Sequence, residues 1–110
     1  MRFGIDFAIG YGIKIESDTF DLIEARISDD DDCDAWCNRW AQCLDLLTGD
    51  DYFVGVIYLY DAEGGVVSLN SEKAALDPKD EKDFRDFYNK YHLEDFFEWA
   101  PNPSAIIFVR

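Results

Sequence analysis

Three cysteines and one histidine are the side chains of this sequence that covalent or metal chemistry uses most often. Cys33, Cys37 and Cys43 lie close together in the chain, and His92 is far from them. A cysteine–histidine pair would serve nucleophilic catalysis, but no local signature of such an enzyme surrounds these residues. A zinc site needs about four ligands at recognisable spacing, and no fourth ligand is near the cysteines. We therefore expect the cysteines to be small buried residues on the apolar face of a helix, and we predict no catalytic residue, metal or cofactor.

Calcium binding is the second possibility, because aspartates fill most of the segment from Asp29 to Asp34. An EF-hand loop beginning at Asp29 would place Cys33 at a ligand position, Asp34 at the obligatory glycine and Trp40 at the obligatory glutamate. The pattern fails at those three positions. We therefore predict no calcium loop of this class.

The same aspartates are a candidate binding surface. Residues 28–51 hold eight aspartates and one arginine, a net charge of −7. Residues 77–99 hold eight acidic and four basic residues, but there opposite charges recur four positions apart, which neutralises a helix surface. The pairs at this spacing are Lys79 with Asp83, Glu81 with Arg85, Lys82 with Asp86 and Asp86 with Lys90. The first segment offers no such pairing, so its charge is either tolerated in a loop or used to bind a partner.

We predict that these unpaired aspartates contact a partner. The predicted partner-binding residues are Asp29, Asp30, Asp31, Asp32, Asp34, Asp45, Asp50 and Asp51. If residues 32–47 form one helix, Asp34 and Asp45 lie on the same outward face, about three turns apart. With the preceding aspartates they would form a line of negative charge that suits a basic, phosphate-binding groove.

The elements that position these residues begin with a strand. From Phe3 to Ile15 every odd-numbered residue is apolar, which is the period-two pattern of a half-buried strand. The stretch is long for one strand, so we expect a bend or a tight reversal near Gly10 and Gly12. Residues 20–27 could form a second strand or a short helix, and we favour the strand.

The middle of the chain predicts a helix followed by a hairpin. Trp36 and Trp40 belong to a helical repeat of apolar residues that runs over residues 32–47. Residues 52–60 are apolar on both faces, as in a central strand. Residues 66–69 follow a glycine-containing turn and are its predicted hairpin partner.

The C-terminal part predicts a second helix with an aromatic face. Asp77 followed by Pro78 is a typical helix start. A short helix over residues 94–99 and a buried strand over residues 105–109 complete the chain. The aromatic face consists of Phe84, Phe87, Tyr88 and Tyr91. The predicted fold is α+β, an antiparallel or mixed sheet of about five strands with two main helices packed on one face.

The composition limits the class of protein. Of 110 residues, 48% are hydrophobic and 16% aromatic, which suffices for a core and argues against disorder. We expect one domain over residues 1–110. No apolar run reaches the roughly 20 residues of a membrane span, and the first residues do not resemble a signal peptide. Three cysteines in one short segment do not form a secreted disulfide framework, so we expect a soluble, cytoplasmic protein.

The net charge of −14 bears on the partner. Such a field repels phosphate backbones and anionic lipids, and it attracts basic proteins. In size, acidity and aromatic content the chain resembles phage-encoded DNA-mimic inhibitors, including anti-CRISPR and anti-restriction proteins. It is also similar in these respects to small immunity proteins that neutralise basic nuclease toxins.

The resemblance implies a non-enzymatic inhibitor that blocks a basic, nucleic-acid-binding or nuclease protein, without binding nucleic acid or membranes itself. An immunity or antitoxin protein is the first alternative. A small enzyme or ligand-binding domain is the second, and it predicts a pocket with convergent polar groups near His92 or the cysteines.

Overall fold

The computed structural model describes residues 5–60 and 75–109, which form an α+β fold. Within those residues there are four strands and three α-helices, where we had expected about five strands and two main helices. In chain order they are β1 Ile5–Glu16, α1 Ser17–Arg26, α2 Asp30–Ala35, β2 Ala41–Cys43, β3 Asp51–Tyr60, α3 Pro78–Lys90 and β4 Pro103–Val109. The predicted hairpin partner at residues 66–69 lies outside the described residues. None of the described helices has the length and apolarity of a membrane span.

The four strands form one antiparallel sheet in the order β2-β3-β1-β4, with the long strand β1 near its centre. β1 pairs with β3 along almost its whole length, from Phe7 opposite Tyr60 to Glu16 opposite Asp51. It pairs with β4 over its first half, where Ile5 lies opposite Val109. Of the antiparallel or mixed sheet that we expected, the antiparallel form is the one observed.

β1 is continuous, so of the bend or tight reversal expected near Gly10 and Gly12 the reversal is wrong. The glycine at position 12 serves a different purpose, because it lies directly opposite Gly55 of β3. A Cβ on Gly12 would lie 1.9 Å from the carbonyl oxygen of Val54, and a Cβ on Gly55 would lie 2.1 Å from that of Tyr11. The two strands approach too closely at this pair for any side chain.

The sheet is strongly coiled, because segments from its two outer edges meet. Leu44, directly after β2, donates its N–H to the carbonyl of Asp51 and accepts a hydrogen bond from the N–H of Val109, each at 2.9 Å. Val109 pairs with Ile5 at one end of β1, whereas Asp51 pairs with Glu16 at the other end. Leu44 can reach both only if the ribbon of β1 and β3 curls.

The segment after β1 forms helix α1, so the strand that we favoured for residues 20–27 is wrong. Phe20, Ile23 and Ile27 recur at helical spacing and are all buried. Leu22, another apolar residue of this segment, is 59% exposed. Burial of one apolar stripe against the sheet selects the helix here.

The helix predicted for residues 32–47 is wrong beyond Trp40. α2 ends at Ala35, a π-helical turn covers Trp36–Trp40, and Ala41 then enters β2. Ala41–Cys43 pairs with Tyr52 to Val54 of β3. Hydrogen bonding to a neighbouring strand therefore overrides the helical spacing of the apolar residues.

Helix α3 confirms the prediction in position and burial. The side chain of Asp77 accepts a hydrogen bond from the N–H of Lys79 at 2.8 Å, and Pro78 opens the helix. The helix predicted for residues 94–99 is instead a single 3₁₀ turn over Leu93–Asp95. The final strand is also confirmed, although it alternates between buried and exposed residues. The aromatic face Phe84, Phe87, Tyr88 and Tyr91 is buried.

Two hydrophobic clusters occupy the two faces of the sheet. The larger cluster joins the helices to one face, and Trp36 at its centre stacks between Phe20 of α1 and Phe87 of α3. The smaller cluster, on the other face, consists of Ala8, Phe53, Ile106 and Phe108, with Leu44 and Ile57 packed against it. The helices thus lie on one face, as expected, and the coiling of the sheet encloses the second cluster.

Candidate functional site

Negative charge is most concentrated on α1, α2 and the short connection between them. Residues 16–34 hold nine acidic residues and one basic residue, a net charge of −8. Among the described residues, no basic side chain lies within 4.0 Å of eight of these acids. We call these eight residues the α1–α2 acidic surface: Glu16, Asp18, Asp21, Glu24, Asp29, Asp30, Asp31 and Asp34. All of them are exposed.

Sequence analysis predicted only the α2 half of this surface. It identified the four aspartates of residues 29–34 that belong to the surface, and it missed the four acids between Glu16 and Glu24. The missed residues precede or lie on α1, which had been interpreted as a strand. Assigning that segment as a helix would have found them. In an amphipathic helix that buries Phe20 and Ile23, Asp18 and Asp21 lie on the exposed side.

Asp32 differs from its neighbours, because its side chain turns towards α3. It accepts hydrogen bonds from Lys90 Nζ, at 2.6 Å, and from the hydroxyl of Tyr91, and its side chain is only 26% exposed. The hydrogen bonds from Lys90 and Tyr91 hold the pKa of this carboxyl below its usual value. The prediction that every aspartate of this run lacks a partner is therefore wrong for Asp32, which anchors α2 to the end of α3.

The α2 half of the α1–α2 acidic surface is also stabilised by the backbone of α2. Asp29 is the N-cap of α2, and its Oδ1 accepts a hydrogen bond from the N–H of Asp32 at 3.1 Å. Asp30 and Asp31 follow in the first turn, where the positive end of the helix dipole stabilises acidic side chains. Asp34 is one helical turn after Asp30, so these two like charges are neighbours.

The remaining predicted partner-binding residues lie outside α1 and α2. Asp45 forms an isolated bridge with Val109 at the end of β4, so the predicted common helix face of Asp34 and Asp45 does not exist. Asp51 lies 3.7 Å from Lys14 Nζ. The carbonyl of Asp50 accepts the N–H of Ser17 at 2.8 Å, which places Asp50 beside the start of α1.

The acids of α3 are paired, in contrast to those of α1 and α2. The predicted pairs of Glu81 with Arg85 and of Lys82 with Asp86 are confirmed. Two predicted pairs are replaced by contacts between elements: Asp83 binds Arg39 at 3.1 Å, and Lys90 binds Asp32. Arg39, the one base of the acidic segment, is therefore used to neutralise α3.

Arg26, the basic residue of α1, is also directed away from the acidic surface. Its Nη1 donates to the carbonyl of His92 at 2.9 Å and to the carboxylate of Asp95 at 2.8 Å. Its guanidinium lies 4.4 Å from the centre of the Phe96 ring. Arg26 therefore joins α1 to the segment after α3, and it does not neutralise any acid of the α1–α2 acidic surface.

The three cysteines are free thiols. Cys37 is exposed and Cys43 lies on β2, so the expectation of buried cysteines on one helix face is wrong for these two, and Cys33 on α2 is only half-buried. Desolvation, followed by the negative charge of Glu24, raises the pKa of the Cys37 thiol to about 11, which makes it a weak nucleophile at neutral pH. No group of three or more metal-ligating side chains is found in residues 5–60 and 75–109.

The clefts formed by described residues include two shallow ones with volumes of several hundred cubic ångströms. One, of about 270 Å³, has α3 on one side and α2 with the π-helical turn that follows it on the other. The other, of about 340 Å³, lies at the edge of the sheet beside Phe53 and Ile106. Neither cleft is lined by His92 or by a cysteine, the residues that the enzyme alternative requires.

Comparison with known proteins gives no relative: no family model, no curated protein and no solved structure matches this chain.

Proposed function

We propose that this protein is a non-enzymatic inhibitor that binds a basic, nucleic-acid-binding protein through the α1–α2 acidic surface, in the place of nucleic acid. An anti-CRISPR or anti-restriction protein of the DNA-mimic type is the particular form of this function that we propose. The partner is a basic protein, and its phosphate-binding groove is the surface that becomes blocked. Because free cysteines fit a reducing compartment, we place the inhibitor in the cytoplasm.

One observation carries this proposal, which is the difference in charge pairing between two helical regions. A folded chain that needs acidic residues for solubility alone can pair many of them, as α3 does with Glu81, Asp83 and Asp86. The eight acids of the α1–α2 acidic surface are exposed and lack a basic neighbour within the described residues. Their mutual repulsion costs stability, and a basic partner removes that cost.

The mechanism of inhibition is electrostatic attraction followed by exclusion. An exposed field of one sign raises the association rate with a basic groove by about 10- to 1,000-fold at low salt. Once bound, the acidic surface occupies the positions of phosphates, and the groove can no longer accept nucleic acid. No bond is made or broken, so no catalytic residue is required.

Capture from a bacterial lysate tests the proposal, with the full chain immobilised. The acidic-surface variant carries Asp30→Asn, Asp31→Asn and Asp34→Asn. The control variant carries Glu81→Gln, Glu94→Gln and Glu98→Gln, and it has the same net charge of −11, three fewer negative charges than the natural −14. We expect the natural protein and the control to retain a basic nucleic-acid-binding protein at low salt, and the acidic-surface variant to retain much less.

Competition gives the decisive outcome. Excess duplex DNA and about 0.5 M salt should each release the captured protein, because phosphates compete for the groove and salt screens exposed charges. Retention that resists both, or equal loss in the two variants, would contradict the proposal. The identity of the captured protein then separates an inhibitor of host defence from an immunity protein, whose partner is a nuclease toxin.

A further inference from the structure

The cleft between α2 and α3, here called the interhelical cleft, has an apolar floor. Ala35, Trp40 and Phe87 form this floor, and the two aromatic side chains are almost fully buried. With a volume of about 270 Å³, the cleft is smaller than the roughly 300–1,000 Å³ of sites for drug-sized molecules. Its size suits a single side chain.

The walls of the cleft carry an excess of negative charge. Three carboxylates, those of Asp32, Asp83 and Asp86, face two cations, Arg39 and Lys90. Both cations are already bound within the protein, Arg39 to Asp83 at 3.1 Å and Lys90 to Asp32 at 2.6 Å. The remaining carboxylate, Asp86, is 62% exposed, and its own ion-pair partner does not line the cleft.

Each of these carboxylates also keeps an oxygen for a further donor. The hydrogen bonds to Asp32, Asp83 and Asp86 from the described residues all use the Oδ2 atom. Their Oδ1 atoms accept no hydrogen bond from that part of the chain. Asp83 and Asp86 are three residues apart on α3, so they are neighbours on one helix face.

A ligand for such a site combines an apolar stem with a cation that donates several hydrogen bonds. An arginine side chain has both, because its methylenes can lie on the apolar floor and its planar guanidinium carries five N–H donors in a fork. A lysine ammonium is a compact, strongly hydrated charge and fits two neighbouring carboxylates less well. Charge and shape therefore both favour arginine.

We propose that the interhelical cleft receives one arginine side chain of the basic partner, with the guanidinium bound between Asp83 and Asp86. This inference rests on the proposed function, and it adds a specific anchor to it. α2 contributes to both sites, since Asp30 and Asp31 belong to the acidic surface and Ala35 belongs to the cleft. The acidic surface attracts the partner, and the cleft fixes its position.

A titration of the ¹⁵N-labelled full chain with Nα-acetyl-arginine amide at low salt tests the inference. The indole N–H of Trp40 and the amides of Ala35 and Phe87 report on the cleft by NMR. We expect saturable shifts confined to these signals, with a millimolar dissociation constant. Nα-acetyl-citrulline amide, which has the same shape without the charge, should bind at least tenfold more weakly, and Nα-acetyl-lysine amide about threefold more weakly.

Three variants give the controls. Asp86→Asn should weaken arginine binding at least threefold, and Ala35→Leu should abolish it by filling the floor. Glu81→Gln is the matched control, because it removes one charge and one ion pair from the same helix without touching the cleft. It should leave the arginine affinity unchanged.

Two results would overturn the inference. One is an equal loss of affinity in Asp86→Asn and Glu81→Gln, which would indicate that the arginine responds to the overall negative charge of the protein and not to the cleft. The other is a set of arginine-induced shifts on α1 and on Asp30 and Asp31 with none at Trp40. Either result leaves the proposed function testable, because that function is measured separately by capture with the acidic-surface variant.

Discussion

Two helical regions of this molecule carry many acidic side chains, and they differ in whether basic side chains lie next to those acids. On α3, each of the acids Asp80, Glu81, Asp83 and Asp86 has a basic side chain within 4.0 Å. On the α1–α2 acidic surface, none does among the described residues. The two arginines described in this half of the chain, Arg26 and Arg39, both form ion pairs with the C-terminal half.

The difference shows that total acidity is a weak guide to function. A paired carboxylate has little field beyond its own ion pair, whereas an unpaired cluster projects a field over about one Debye length, roughly 10 Å at 0.1 M salt. The net charge of −14 therefore describes two unlike surfaces. We expect a basic partner to be attracted mainly by the unpaired one.

The largest expected effect concerns the thiol beside the acidic surface. Cys37 lies 3.8 Å from a carboxylate oxygen of Glu24. Because desolvation and that negative charge raise its pKa to about 11, little thiolate exists at pH 8. We expect iodoacetamide to alkylate Cys37 at least tenfold more slowly in the folded protein than in urea, measured by site-resolved mass spectrometry. Glu24→Gln should accelerate the reaction, and equal rates in folded and unfolded protein would contradict the acidic environment.

Binding of a decalysine peptide compares the two fields directly. Exposed ion pairs are worth about 0.2–1 kcal/mol each, so removing three acids from one surface should weaken binding by about tenfold. We expect this loss at low salt for Asp30→Asn, Asp31→Asn and Asp34→Asn combined. The control variant with Glu81→Gln, Glu94→Gln and Glu98→Gln should lose less than threefold in affinity. Equal losses by isothermal titration calorimetry would show that the two surfaces do not differ.

Asp32 is the exception on the acidic side, and its loss should destabilise the fold. Asp32→Asn weakens the acceptor of the Tyr91 hydroxyl, which should lower the free energy of unfolding by about 1 kcal/mol at pH 7. Asp31→Asn, one residue earlier and exposed, should change it by less than half as much. Urea denaturation measures both values.

The stabilisation that Asp32 provides should depend on pH. The folded-state pKa of Asp32 is lowered from 3.8, so its stabilisation is present above about pH 4 and is lost as the pH falls through the folded-state value. The difference in the free energy of unfolding between the natural protein and Asp32→Asn should therefore be largest near pH 7 and smaller at pH 3. A difference that does not change with pH would contradict the anchoring role.

The smallest effects should have opposite signs in the two regions. Glu81 and Arg85 are opposite charges one helical turn apart, whereas Asp30 and Asp34 are like charges at the same spacing. We expect Glu81→Gln to lower the free energy of unfolding by about 0.2–0.5 kcal/mol and Asp34→Asn to raise it by a similar amount. Both effects should shrink in 1 M salt, and effects of the same sign would show that α2 is not under charge repulsion.

Parts of the fold could be predicted because their signals are local. The N-cap and proline at Asp77 and Pro78 and the aromatic spacing after them identified α3, and the period-two pattern identified β1. The candidate site was predicted in its α2 half for the same reason, since a run of aspartates is visible without any structure. The α1 half was missed because residues 20–27 carry apolar side chains at mixed spacings, and only burial decides between helix and strand.

The end of the helix predicted for residues 32–47 could not be found locally. Trp36, Trp40 and Leu44 keep helical spacing, yet Leu44 packs in the cluster on the far face of the sheet, with Ala41–Cys43 paired to β3 before it. Backbone hydrogen bonds to β3 replace those of a continued helix. The position of Asp45 followed from this change, which removed it from the acidic surface.

The sequence by itself determined the number of charges, their clustering and two of the four expected i, i+4 pairs of α3, Glu81 with Arg85 and Lys82 with Asp86, because those depend on positions a few residues apart. Tertiary structure decided which acids stay unpaired. Lys90 pairs with Asp32 and Arg39 with Asp83, across 58 and 44 residues of chain. Such contacts depend on how helices pack around Trp36, and no local pattern encodes them. Among the described residues, the acidic surface is therefore what remains after the fold has placed the basic side chains elsewhere.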